Sequence, residues 1–341
     1  MKQTRIQIVA TPHASSSTLF GFMDVLTSVG AAWEMFVSGE EPNPRFDVRM
    51  VSRSKAPFRG ASGNLIEPDF ALDEAPQADV VIVPGMNLPW QDRVNASEGP
   101  VFDWLAQQSK DGVRVTSACT GALYLAEANL LNGLEVTTHW GYADLMRRHF
   151  PEVRLRVDKS LCFSDPMAGI VTSGGTAYWQ ELALFLIANY AGVEHAVRTT
   201  KIWALGDEKT TGLQYLSPAR GVPHSDAIVQ DAQSWLGEHY MSEHPVKAMI
   251  ARSGLPTATF ARRFKKATGL SPQDFVLSVR IEEAKQMLET SEATVDEICA
   301  AVGYEDAASF RRVFKRRSGS TPSQHRRMYG AQRFRRYKEN A

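Results

Sequence analysis

One pattern is written twice in the last third of the chain, and it constrains the fold more than any other feature. Phe260 to Pro272 reads FARRFKKATGLSP and Phe310 to Pro322 reads FRRVFKRRSGSTP. Phe, Phe, Gly and Pro recur at an offset of fifty positions, each time with a basic cluster after the second Phe. Upstream the offset becomes forty-nine, pairing Met249 with Ile298 and Gly254 with Gly303. A repeat of this length marks a duplicated supersecondary unit.

Each copy reads as helix, tight turn, helix. Met249 to Ser253 and Ile298 to Val302 are the first helices, broken by Gly254 and Gly303, which tolerate the left-handed backbone that ends a helix. The second helices start near Thr257 and Asp306. Each carries a Phe pair four residues apart, Phe260/Phe264 and Phe310/Phe314, on one face, which is the expected core. Arg262 and Arg312 lie two residues from either Phe, about 200° around the helix, and point away from that core.

Such a pair of exposed arginines suits DNA. In helix-turn-helix modules the second helix enters the major groove, where arginine reaches guanine O6 and N7 with two hydrogen bonds worth about 1–3 kcal/mol of discrimination. Lys265, Lys266, Lys315, Arg316 and Arg317 follow at the helix ends and suit phosphates. SPQD (Ser271 to Asp274) and TPSQ (Thr321 to Gln324) each place a capping hydroxyl, a first-turn proline and an acid or amide, the start signal of a further helix. The first of these runs to about Glu289 with Leu277, Ile281, Ala284 and Leu288 on one stripe, and joins the two modules. Modules so joined can address successive major-groove turns roughly 34 Å apart.

The pattern resembles the AraC/XylS family of transcription regulators over Ser225 to Tyr329, most closely in GYEDAASFRRVFKRRSGSTP (Gly303 to Pro322). By position the resemblance places Ala258, Ala261 and Arg262, and Ala307, Ala308, Arg311 and Arg312, toward base edges. The alanines can touch a thymine methyl, so the arginines are the stronger readers.

At 341 residues and 43% hydrophobic composition the chain is expected to form two domains. From Pro245 onward 19 Lys and Arg face 10 Asp and Glu, a net +9, against 19 and 28, or −9, before it. That asymmetry fits a polyanion held by one half. Cys119, Cys162 and Cys299 are scattered, with no CxxC and no clustered histidines, so no disulfide framework, metal site or cofactor is expected and a reducing cytoplasm is the implied home. No 18-residue apolar run occurs, so no membrane partner is expected.

The first two hundred residues alternate. Apolar runs at Ile6 to Ala10, Val48 to Ser52, Val80 to Pro84, Val113 to Ser117, Val136 to Thr138 and Ile170 to Ser173 read as buried strands. Helical segments fall near Thr18 to Val29, Val101 to Lys110, Thr120 to Ala128 and Ala177 to Tyr190. This is an α/β doubly wound parallel sheet, whose ligands sit beyond the carboxyl ends of the strands. Three loops there stand out: VPGMN with Gly85 and Met86, SACTGA with Cys119 and Thr120, and TSGGT with Gly174 and Gly175. The SACTGA turn resembles a nucleophile elbow, and VTTHW offers His139 at a further strand end, so cysteine and histidine mark a site.

VVIVPGMN, the SAC turn and VTTHW resemble the ThiJ/PfpI branch of the class I glutamine amidotransferase-like superfamily, over Arg5 to Gly192, which implies a flavodoxin-like sheet. Two departures speak against catalysis. Thr18 stands where members commonly carry a glutamate beside the cysteine, and Thr120 where peptidase-like members carry a histidine. Thr18, Gly85, Met86, Cys119, Thr120, His139, Gly174 and Gly175 are therefore expected to line a ligand pocket rather than an active site. Cys162 and Cys299 read as structural.

The expected organisation is residues 1–205 for sensing and dimerisation, a linker at 206–224, a DNA-binding domain at 225–330 whose opening segment presents Ile228, Ala232, Trp235 and Leu236 on one side, and a basic tail at 331–341. A ThiJ/PfpI-like domain ahead of an AraC-type, all-α, double helix-turn-helix domain is the arrangement of a bacterial regulator group often called GlxA-type. The resemblance implies a non-enzymatic transcription factor binding double-stranded operator DNA. It also implies a homodimer, a small nitrogenous or amino-acid-derived effector, and RNA polymerase as a candidate further partner. The second reading is a cysteine-dependent hydrolase, amidase or glyoxalase-like enzyme tethered to DNA.

Overall fold

The apolar run near the N-terminus forms β1 (Thr4–Val9), with Ile6, Ile8 and Val9 fully buried because both faces of the strand are covered. The computed structural model describes residues 3–89, 94, 96–165, 169–175, 178–205 and 224–330. These fall into two compact units, one ending at Leu205 and one beginning at His224. Most of the expected linker, residues 206–223, and the expected basic tail, 331–341, lie outside the described residues.

In the first unit β1 is followed by α1 (Ser16–Thr27), a π-helical turn at Glu34–Ser38, β2 (Phe46–Ser52), β3 (Phe58–Arg59), β4 (Leu65–Ile66), β5 (Phe70–Ala71) and β6 (Val80–Val83). Next come α2 (Gly99–Lys110), β7 (Arg114–Ala118), α3 (Ala122–Glu127), β8 (Glu135–Val136), α4 (Ala143–His149), β9 (Arg154–Leu155), β10 (Leu161–Asp165), β11 (Ile170–Ser173), α5 (Trp179–Tyr190) and α6 (Val193–Ile202). Seven strands make one sheet in the order β10-β11-β7-β6-β1-β2-β5. The pairs from β11 to β5 are parallel and β10 runs antiparallel to β11. From β1 the chain steps to β2 on one side and later to β6 on the other, so the order reverses between β1 and β6. In doubly wound sheets the crevice outside the carboxyl ends at such a reversal receives ligands.

The expected strand at Val136 to Thr138 does not join this sheet. Glu135 and Val136 pair with Arg154 and Leu155 in a separate parallel ladder, because the next residues are engaged elsewhere. The Thr137 amide donates to Thr172 Oγ1 at 2.9 Å and the Thr138 hydroxyl to the Cys119 carbonyl at 2.9 Å. The helix expected from Thr120 opens instead with a tight 3-10 turn at Cys119–Gly121 before α3.

The second unit is helical: α7 (Ala227–His239), α8 (Pro245–Ser253), α9 (Thr257–Thr268), α10 (Pro272–Thr290), α11 (Val295–Ala301), α12 (Ala307–Ser318) and α13 (Pro322–Tyr329). Phe260, Phe264, Phe310 and Phe314 are all fully buried. Burying one such ring is worth about 1.5–3 kcal/mol, against about 0–1 kcal/mol for an exposed ion pair, so the rings set which way each helix faces. Two cores result, one per module. Val229, Ala232 and Leu236 of α7 join Met249, Phe260, Phe264, Phe275 and Val276 in the first, and Ile281, Ala284 and Leu288 join Ile298, Phe310 and Phe314 in the second. On α7 Ala232 and Leu236 are buried as expected, while Val229 rather than Ile228 opens the stripe and Ile228 and Trp235 are half-buried. The two start signals behave as expected: Ser271 Oγ accepts from the Asp274 amide at 3.1 Å, and Thr321 with Gln324 forms a reciprocal capping box. No helix among the described residues is long and apolar enough to cross a membrane.

Candidate nucleic-acid interface and strand-end site

Helices α9 and α12 turn matching faces outward. Arg262 and Arg312 are exposed, and neither has a hydrogen bond or ion pair among the described residues. Their neighbours differ. Arg263 Nε lies 2.6 Å from Asp226, whose carboxyl it holds below the usual carboxylate range, and Arg311 Nη2 lies 2.6 Å from Asp296. Ala258 and Ala308 are exposed, whereas Ala261 and Ala307 are half-buried. Lys265, Lys266, Lys315 and Arg316 are exposed on the last turns, where a cation also complements the helix dipole.

Arg317 departs from the expected phosphate group. It turns back on the start of α10, donating to Asp274 Oδ1 at 2.7 Å and Ser278 Oγ at 2.9 Å, and its side chain is 19% exposed. With the Ser271 hydroxyl it holds the Asp274 carboxyl below the usual range. Sequence reasoning missed these internal pairs because partners such as Asp226 and Arg263 are 37 residues apart.

In the first unit five of the expected residues, Thr18, Gly85, Met86, Cys119 and Thr120, meet at the carboxyl edge of β1, β6 and β7. The loop after β1 is stitched to the loop after β6: the Ser15 amide donates to Gly85 O at 2.7 Å and the Asn87 amide to His13 O at 2.7 Å. Thr18 Oγ1 accepts from the Gly85 amide at 3.0 Å and donates to Ser15 O at 3.1 Å. Thr120 Oγ1 both accepts from the Met86 amide and donates to the Met86 carbonyl, each at 2.6 Å. Both threonine hydroxyls, in nearly inaccessible side chains, therefore clamp the backbone that carries Gly85 and Met86.

Cys119 stands at the turn itself with φ 56°, a left-handed conformation that costs a non-glycine residue of order 1–3 kcal/mol and persists where surrounding structure enforces it. The enforcement is visible two residues on. A Cβ on Gly121 would lie 2.5 Å from the carbonyl oxygens of Val83 and Pro84, so the turn rests directly on the end of β6. A Cβ on Gly85 would lie 3.3 Å from Thr18 Oγ1 and 3.5 Å from Cys119 Cβ, which puts these three residues side by side. Cys119 is 8% exposed. Burial pushes the Cys162 thiol up to about 11 and raises that of Cys299, so neither is poised as a thiolate.

His139 caps the short turn at Trp140–Tyr142, its Nδ1 accepting from the Gly141 amide at 3.1 Å. The neutral ring therefore carries its proton on Nε2 and lacks a lone pair there. His139 stacks on Trp140, which is 75% exposed, and meets Tyr142 edge-on. The Tyr142 hydroxyl donates to Leu88 O at 2.5 Å, and burial with the nearby Cys119 raises its pKa. Gly175 lies close by, since a Cβ there would be 3.9 Å from His139 Cδ2, and one on Gly174 would be 3.2 Å from Thr137 Oγ1. Sequence reasoning missed Tyr142, although it follows the VTTHW motif by two positions.

A duplicated helix-turn-helix unit with paired outward arginines defines a DNA-binding regulator. Two family models match the chain: the DJ-1/PfpI family over residues 22–189 and a helix-turn-helix domain over residues 249–328. The chain is a DNA-binding transcriptional regulator that joins a DJ-1/PfpI domain to a C-terminal AraC-type helix-turn-helix domain. It is 26% identical over 278 residues to the HTH-type transcriptional regulator CdhR of Pseudomonas aeruginosa, covering 81% of this chain and 80% of that one. To the HTH-type transcriptional regulator GlxA of Rhizobium meliloti it is 26% identical over 238 residues, 67% and 69% of the two chains. The isonitrile hydratase of Pseudomonas putida is 28% identical over 198 residues, 56% of this chain and 74% of that enzyme.

Proposed function

We propose that this regulator reads its operator with both modules, Arg262 and Arg312 addressing base edges in successive major-groove turns while Lys265, Lys266, Lys315 and Arg316 hold phosphates. The observation that carries the reading is that these two arginines occupy equivalent exposed positions without partners among the described residues, whereas Arg263 and Arg311 beside them are paired. Ala258, Ala261, Ala307 and Ala308 line the same helices and add methyl contacts. The chain acts in the cytoplasm, where its DNA lies.

The DJ-1/PfpI domain is the sensor in this reading and the seat of a homodimer. Its effector site is the strand-end cluster of Thr18, Gly85, Met86, Cys119, Thr120, His139, Gly174 and Gly175, rimmed by Trp140 and Tyr142. The aromatic faces suit a nitrogenous or amino-acid-derived compound. Effector binding shifts the population of operator-competent arrangements by its differential affinity for them, with RNA polymerase as the downstream partner. The domain is not an enzyme in this reading. Thr18 and Thr120 are occupied by backbone, and with His139 Nδ1 accepting from the Gly141 amide the neutral ring offers no base at Nε2.

The test is sequencing of genomic fragments retained by the purified full chain in moderate salt. A shared motif with two half-sites one helical turn apart is expected, and retention without a shared motif overturns the base-reading role. A thermal-shift panel of nitrogenous metabolites then tests the sensor: a stabilising compound is expected for the wild type and not for Trp140→Ala, and no response to any member counts against the site.

The left-handed Cys119 backbone favours one second reading, a cysteine-dependent hydrolase, amidase or glyoxalase-like activity at the same elbow. Turnover abolished in Cys119→Ser would establish it; regulation that survives the change would remove catalysis from the mechanism.

A further inference from the structure

Helix α10 holds the two modules through one polar side chain as well as through its apolar stripe. Near its middle the Arg280 guanidinium is surrounded by backbone carbonyls. Nε donates to Tyr240 O at 2.8 Å, Nη2 to Ser242 O at 2.9 Å and Nη1 to Gly303 O at 2.8 Å. Tyr240 and Ser242 form the turn between α7 and α8 in the first module, whereas Gly303 lies in the turn between α11 and α12 of the second. One planar fork thus spans both.

Its surroundings are built to fit. The Tyr304 ring lies 5.7 Å from Cζ and packs edge-on against Phe310, linking the fork to the second core. Tyr240 packs against both cores at once. A Cβ on Gly303 would come within 2.9 Å of both Arg280 Nη2 and the Met241 carbonyl, so the turn approaches as closely as glycine allows. Among the described residues no carboxylate pairs with Arg280, and burial lowers its pKa. Charge pairing therefore does not explain an arginine here, while three carbonyls at fixed angles do, since the guanidinium is rigid and lysine is not. Arg317 adds a second tie between α12 and the start of α10.

We propose that Arg280 is the positioning residue that fixes the angle and separation of the two recognition helices, so that both enter DNA only when the half-sites stand at one spacing. The proposal rests on the two-module reading of operator binding. Linked modules gain about 10²–10⁴ in affinity when geometry lets both engage, and lose that gain when it does not. A stiff joint makes the gain steep in spacing; a loose one flattens it.

The full-length wild type first selects its site from a randomised duplex pool. That duplex, versions with either half scrambled, and versions with base pairs inserted singly between the halves are then titrated with wild type, Arg280→Met and Arg280→Lys. Wild type is expected to lose about 100-fold on insertion. The variants are expected to bind the selected duplex about tenfold more weakly, to hold that affinity within about twofold on inserted duplexes, and to match wild type on one-half duplexes, because the fork is removed while the readers remain. A variant that stays as steep as wild type overturns the proposal, as does one-half binding that falls in step with the whole site, since that is loss of fold. Should Arg280→Met lose its helical signal, Arg280→Lys decides, because it keeps the charge and loses the fork. If wild type itself binds one-half and whole duplexes equally, the two-module reading fails and not the role of Arg280 within it.

Discussion

The two helix-turn-helix modules share a frame and differ in how its ends are secured. Both have a twelve-residue recognition helix, a fully buried Phe pair and a left-handed glycine after the last turn. In the second, Asp306 caps α12 by accepting from the Ala308 and Ser309 amides at 3.1 and 2.7 Å, and Thr294 with Glu297 forms a capping box on α11. In the first, α9 follows Pro256 and α8 follows His244, neither giving a side-chain cap. Each core takes an apolar stripe from the helix before it, Val229, Ala232 and Leu236 of α7 in the first and Ile281, Ala284 and Leu288 of α10 in the second, so the modules differ in their local capping. The duplication kept the core positions and the outward arginines, whose surroundings were free to diverge.

The common frame predicts the largest effects, and predicts them equal. Phe260→Ala and Phe310→Ala each remove a fully buried ring, and each is expected to destabilise its module by about 3–5 kcal/mol. Urea denaturation followed by far-UV circular dichroism reads both. A difference above about 2 kcal/mol would mean that α7 changes how far the first core can collapse around a cavity, and would break the symmetry.

Next come the arginines. Arg262→Ala and Arg312→Ala are each expected to weaken operator binding by about 1–3 kcal/mol while leaving random DNA nearly unchanged. Arg311→Ala is expected to cost under about 1 kcal/mol, because its guanidinium is already engaged by Asp296 in an exposed pair. Competition titrations with operator and random duplexes measure this. Equal losses for Arg311→Ala and Arg312→Ala would show that the Asp296 pair opens on DNA and that the two arginines serve alike.

The comparison also separates what the sequence reveals from what it hides. The Phe pairs, the SPQD and TPSQ caps and the strand-end loops are local signals, set by periodicity or by a few adjacent residues, and they stand where expected. Of the sheet, β1, β2, β6, β7 and β11 announced themselves as apolar β-branched runs. The edge strand β10, LCFSD, carries a mixed pattern, and the residues after β8 bond instead to the Thr172 hydroxyl of β11 and the Cys119 backbone carbonyl. What stayed hidden is tertiary. The Arg280 acceptors lie 40, 38 and 23 residues away, and no spacing rule connects them. Likewise the His139 tautomer follows from one amide of the turn it caps, visible only once that turn exists.

The caps give a smaller, asymmetric effect. Asp306→Ala removes a charged acceptor from two first-turn amides and is expected to cost about 0.5–2 kcal/mol. Pro256→Ala, at the equivalent place in the first module, removes no acceptor and is expected to cost a few tenths. Both are read by denaturation without DNA, since removing an acid beside a DNA-facing helix also changes binding. Comparable losses would sink the claim that only the second module is secured by its own cap.

The smallest effect lies in the salt dependence. Each phosphate neutralised contributes about −0.9 to the slope of log K against log salt. Lys265→Ala and Lys315→Ala, at matched exposed positions, are each expected to reduce the slope by about one and to weaken operator and random duplexes alike. Arg317→Ala has no counterpart in the first module, where Ala267 takes its place. It is expected to leave the slope unchanged, because its guanidinium is turned inward to Asp274 and Ser278. Fluorescence anisotropy across a salt series distinguishes these. A slope that also falls for Arg317→Ala would mean the inward pair opens when DNA arrives; the second module would then hold one more phosphate than the first, and the tie between α12 and α10 would be a contact exchanged on binding.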